Sequence, residues 1–118
     1  MSYYRLQDAD RDVAELLDPD HQWSCTWGGL GEPRRGVSVC ATVQLVIDYF
    51  ARLAAHGIGY DADFLAGLVL VELDGEPSDE EDHDADQGAE LIIPTEIVSV
   101  RPLTADEIAE ILAGAPTA

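Results

Sequence analysis

The segment LAGLVLVELDG, Leu65 to Gly75, decides how the rest of the chain must fold. Leu68 to Leu73 form a short apolar run in which Val69 and Val71 alternate with Leu68 and Leu70. Apolar residues at both parities give a strand buried on both faces, hence a central one. Upstream, ATVQLVIDYFARLAAHGIG (Ala41–Gly59) carries Val43, Val46, Ile47, Phe50, Leu53 and Ala54 at helical spacing, with His56 in the last turn and Gly57 as the stop. A helix pressed against a central strand is the nucleus that the other segments extend.

At the start, SYYRLQD reads as a short strand with Tyr4 and Leu6 on one face. DADRDVAELLDPD follows; Asp8 or Asp10 caps a short amphipathic helix built on Val13, Leu16 and Leu17 and ended by Pro19. WSCTW and GVSVC are strands on either side of a glycine-rich loop, where Trp23 and Trp27 suit core or lid packing better than ligand stacking. Downstream, EPSDEEDHDADQ places seven acids in residues 76–87 and reads as an exposed, mobile loop. ELIIPTEIVSV is a pair of strands, or one edge strand interrupted at Pro94, because proline cannot donate to a ladder. Thr104 and Glu107 have capping-box spacing ahead of an Ile108, Ile111 and Leu112 stripe, with Gly114 and Pro116 as the stop. Together these predict an α+β fold: a single domain over 1–118, with a small, mostly antiparallel sheet and two to three flanking helices.

The charge excludes whole classes of function. Twenty-four acids against six bases leave a formal charge of −18, a field that repels duplex nucleic acid and anionic lipid. Two readings of that acidity stay open: general solubility, or a face that docks a basic protein partner as an immunity factor, inhibitor or nucleic-acid mimic would. Neither a signal-like segment nor an apolar run of membrane-spanning length is present, so the expected place is the cytoplasm, with Cys25 and Cys40 as free thiols.

Several chemistries lack their residues. His21 and Cys25, even with Cys40, do not supply the paired ligands of a structural zinc site. Asp82, Asp84 and Asp86 alternate like a calcium loop, but Gln87 stands where the turn glycine belongs and Ile93 where the closing acid belongs. No metal is expected. Nothing local joins Ser38 or Cys40 to His56 as nucleophile and base, and GGLGEPRRG has glycines but no phosphate-binding lysine.

The order YYR, GVSVC running into a helix with DYF, LVLVEL, then GAELIIPTEIVSV resembles the mono-ADP-ribosyltransferase fold over about residues 3–101. That family includes short bacterial members that act as toxins or antibiotic-modifying enzymes. The resemblance implies that NAD is the substrate and that Tyr4 and Arg5 on the first strand help to hold it. It also implies that Ser38 stands on the second motif strand and that Glu90 is the catalytic acid polarising the nicotinamide ribose. NAD cleavage passes through an oxocarbenium-like sugar, for which one well-held carboxylate is suited. The chain departs from the pattern at Ser38-Val39-Cys40, where a Ser-Thr-Ser run is usual. It departs again at Gly88, where many protein-modifying members carry a glutamine or glutamate. Outside the resemblance, Arg5 reads as a surface cation and Glu90 as an ordinary charge at a strand start.

Overall fold

A computed structural model describes residues 2–24, 34–56, 60–82 and 85–114. Four antiparallel strands close into a barrel: β1 (Ser2–Asp8), β4 (Val37–Cys40), β6 (Ala89–Pro102) and β5 (Leu68–Pro77), in that order, with β5 returning to β1. Two-residue strands β2 (Trp23–Ser24) and β3 (Arg34–Arg35) pair as a separate ribbon. Helices α1 (Val43–Ala55), α2 (Ala62–Ala66) and α3 (Ala105–Ala113) complete the described elements. The α+β class and the small antiparallel sheet agree with the sequence pattern.

Leu68 to Leu73 form the central strand that their alternation predicts. β5 is bonded to β1 on one side and β6 on the other. Its two faces enter different cores. Leu68 and Leu70 join Leu6, Cys40, Val46, Ile47, Leu65 and Ile111 between sheet and helices, whereas Val71 and Leu73 join Tyr3, Val37, Val39, Ile92 and Leu16 on the inward face. Tyr4 packs against the first cluster with Leu6, as alternation along β1 requires.

β6 is one continuous strand, not two. Its pairing with β4 stops at Ile92, while its pairing with β5 runs on past Gly75 opposite Pro94. Pro94 therefore stands where β6 has a ladder partner on only one side, and a register shift between Asp74 and Gly75 absorbs the missing donor. The close approach at that shift needs a glycine: a Cβ on Gly75 would lie 2.7 Å from the Ile93 carbonyl oxygen.

Three local expectations change. Val13–Leu17 is a single 3₁₀ turn capped by Asp12, not a helix capped by Asp8 or Asp10. Asp8 accepts from the Asp10 amide, Asp12 caps the turn by accepting from Ala14, and Asp18 accepts from Asp20. Trp23 is half exposed, with the Arg35 guanidinium 5.7 Å from its ring, and so is not a core residue. Finally, Glu76 and Pro77 close β5 opposite Ile93 and Ile92, so the acidic segment starts later than its composition suggests. Trp27, Cys25, Gly57 and Pro116 lie outside the described residues. Among the described residues no helix is long and apolar enough to cross a membrane.

Candidate functional site

The site is built on β1 and β4 where they meet α1. Tyr4 faces Cys40 across the β1–β4 ladder, and Cys40 faces Ala89 across β4–β6. α1 starts just after this row, with Thr42 Oγ1 accepting from the Leu45 amide as its N-cap, and carries Val46, Tyr49 and Phe50 over it. Between helix and sheet lies a pocket of about 260 Å³ walled by Tyr4, Ser38, Cys40, Tyr49, Phe50 and Ala89, with Arg5 at its edge. Tyr4, Arg5 and Ser38, selected from sequence, thus share one pocket.

Arg5 is the cation of this pocket. Its Nη1 makes a long 3.5 Å contact to the Ser38 carbonyl oxygen, and its buried Nε has no hydrogen-bond partner. Burial, with a smaller contribution from Arg11, lowers its pKa to about 10. Arg5 is half-buried, with Nε enclosed and Nη1 at an exposed contact, and so is not the fully exposed surface cation that strand placement alone suggests.

Glu90 lies elsewhere. It is exposed and lines a neighbouring cleft of about 570 Å³ with Ser78, Asp79, Glu80, Glu81 and Asp82. Ala89 is common to both walls. The Tyr4–Cys40–Ala89 row puts Arg5 and Glu90 each one residue further along, two strands apart. No hydrogen bond or ion pair joins them among the described residues. Comparison with protein-family models, curated proteins and solved structures finds no match.

The acidic cleft is an ordered arrangement in its described part. Arg34 Nη1 donates to the Glu81 carbonyl at 2.6 Å, the Arg35 amide donates to the Glu80 carboxylate, and Ser78 Oγ donates to the Arg35 carbonyl. Arg52 on α1 donates to the Gln87 carbonyl at 2.9 Å. Asp82 is only 8% exposed and accepts from Ser38 Oγ at 2.7 Å. These bonds tie 78–82 and Gln87 to β3, β4 and α1, so the described part is not the untethered loop its composition suggests. Among the described residues no cluster of three or more His, Cys, Asp and Glu side chains could hold a metal ion.

Cys40 is a free thiol in the pocket wall. Burial, then the charges of Asp82 and Glu90, push it up to about 11, with Arg52 opposing. Both carboxylates therefore act on the same point of β4, although only Asp82 is bonded to Ser38.

Sequence reasoning missed two parts of this geometry. Phe50 reads as a core residue of α1, but with Tyr49 it also walls the pocket. Their rings begin a series of contacts in which Phe50 meets Tyr60 at 5.8 Å and Tyr60 stacks on Phe64 at 5.4 Å. Asp82 read as one of several solvated acids. No local pattern separates it from its neighbours; only the fold brings Ser38 to it.

Proposed function

We propose that the chain is an ADP-ribosyltransferase-like domain that binds NAD at the pocket of Tyr4, Arg5 and Ser38 and transfers ADP-ribose to an acceptor. The observation that carries this reading is the convergence of those three residues on one aromatic-walled pocket, with Glu90 the next residue after its wall at Ala89. The fit is to one end of the dinucleotide. At about 260 Å³ the pocket falls just below the range for drug-sized ligands. Its aromatic walls suit a flat ring.

On this reading the bond from the ribose anomeric carbon to the nicotinamide nitrogen breaks, and nicotinamide departs with the bonding pair. The acceptor nucleophile supplies the new bond and loses its proton. Glu90 is assigned to the ribose, where a carboxylate stabilises the developing positive sugar. Arg5 is assigned to ligand oxygens. A second reading draws on the cleft itself: Asp79, Glu80, Glu81, Asp82 and Glu90 line one concavity, which suits a basic protein partner.

The two are separated by experiment. If NAD is the substrate, it raises the thermal midpoint, and nicotinamide is released at high enzyme concentration. Glu90→Gln should abolish release without lowering the midpoint of the free protein. Absence of both a shift and release rejects the enzyme. If a basic partner docks, its binding weakens steeply between low and physiological salt; salt-independent binding rejects that mode.

A further inference from the structure

We propose that Asp82 is a positioning residue of the NAD-binding pocket, holding Ser38 Oγ so that this hydroxyl meets the ligand as an acceptor only. The inference rests on the reading of that pocket as an NAD site. A serine hydroxyl has one donor and two acceptor lone pairs, and a carboxylate accepts only. In the 2.7 Å bond between Ser38 Oγ and Asp82 Oδ2, the proton therefore lies toward Asp82. The lone pairs are what remain for the pocket that Ser38 lines. Arg5 and Ser38 consequently have opposite preferences: Arg5 takes acceptor atoms of the ligand, and Ser38 takes a donor such as a ribose hydroxyl or a carboxamide N–H.

Asp82 differs from the acids beside it. Asp79, Glu80 and Glu81 are exposed, whereas Asp82 is buried, and burying a carboxylate is unfavourable unless it is paired. Its delivery to Ser38 is also secured on the chain side. The Ser78 amide donates to the Leu91 carbonyl at 2.9 Å, and Arg34 grips the Glu81 carbonyl immediately before Asp82. Glu90 makes no hydrogen bond to Ser38 among the described residues, so the carboxylate coupled to the motif-strand serine comes from the acidic segment.

The test is a double-mutant cycle read by calorimetric titration with NAD, with circular dichroism confirming each fold. Ser38→Ala and Asp82→Ala should each weaken binding about 10-fold, a loss typical of one hydrogen bond. The double variant should also lose about 10-fold, not 100-fold, since the two act as one unit. Asp82→Asn keeps an acceptor for the hydroxyl and should stay within about 3-fold of wild type. If Asp82→Ala does not fold, Asp82→Ser, too short to reach Ser38 Oγ, takes its place in the cycle. Wild-type affinity in Asp82→Ala or its Asp82→Ser substitute, or a multiplicative loss in the double variant, overturns the positioning role while leaving the NAD site standing. Failure of the wild-type protein to bind NAD overturns the site and this inference together.

Discussion

Replacing Glu107 by glutamine tests whether charge at the start of α3 stabilises the fold. Thr104 Oγ1 accepts from the Glu107 amide at 3.1 Å, and Glu107 Oε1 accepts from the Thr104 amide at 2.8 Å, a complete capping box. Arg101, at the end of β6, donates to both carboxylate oxygens at 2.8 and 2.9 Å. Glutamine retains the cap, because its amide oxygen still accepts, but loses the charge paired with Arg101. The Arg101 hydrogen bonds hold the Glu107 carboxyl at about 2 against an ordinary 4.5. Taken in full, that displacement corresponds to about 3 kcal/mol. Arg101 is 42% exposed, so solvent screening brings the expected contribution to about 1–2 kcal/mol. The folded carboxyl is more acidic than the unfolded one. Its contribution is therefore complete above the unfolded value and disappears as pH falls from about 4.5 towards 2. Urea titrations of wild type and Glu107→Gln at a series of pH values should show the variant less stable by about 1–2 kcal/mol at pH 7. The gap should narrow below pH 4.5 and close near pH 2. A gap that does not change with pH, or a variant as stable as wild type at pH 7, would refute the assignment.

Three further outcomes are expected. Gly75→Ala puts a methyl 2.7 Å from the Ile93 carbonyl and 2.8 Å from Ile92 Cδ1, and should cost about 1–3 kcal/mol in chemical denaturation; an unchanged midpoint would mean that the β5–β6 bulge is misplaced. Gln7 is buried with both polar side-chain atoms unpartnered, so Gln7→Leu should stabilise the fold by about 1–3 kcal/mol, and a lowered thermal midpoint would show that those atoms are satisfied in solution. Cys40, at about 11 against an ordinary 9, should have about 100-fold less thiolate than in the unfolded chain at pH 8. Iodoacetamide labelling followed by peptide mass mapping should therefore leave Cys40 protected in the native protein, and equal native and unfolded rates would contradict its burial.

The parts of the fold legible in sequence were those whose pattern is local and repeated. α1, the β5 run and the Thr104–Glu107 cap announce themselves through periodicity or a two-residue signature, and each occurs where that signature stands. α2 is short, but its Asp61 cap and Gly67 stop are readable in retrospect. Barrel closure was not legible, because pairing β5 with β1 as well as β6 is a long-range choice that no stretch of sequence encodes alone. The 3₁₀ turn at Val13–Leu17 was misread because apolar spacing spoke for a longer helix, whereas Asp12 caps the segment and Asp18 ends it after five residues. Tyr4, Arg5 and Ser38 stand on neighbouring strands and line one pocket. Asp82 was invisible because its burial depends on Arg34 and Ser38, which are 48 and 44 residues away in the chain.

The most direct measurement is a crystal structure of the protein soaked with NAD. The expected result is ligand density in the pocket of Tyr4, Arg5 and Ser38, an acceptor atom on the terminal nitrogens of Arg5, a donor on Ser38 Oγ, and the Glu90 carboxylate turned to the nicotinamide ribose. An empty pocket at saturating NAD, or ligand bound with Glu90 still facing the acidic cleft, would contradict the proposed site.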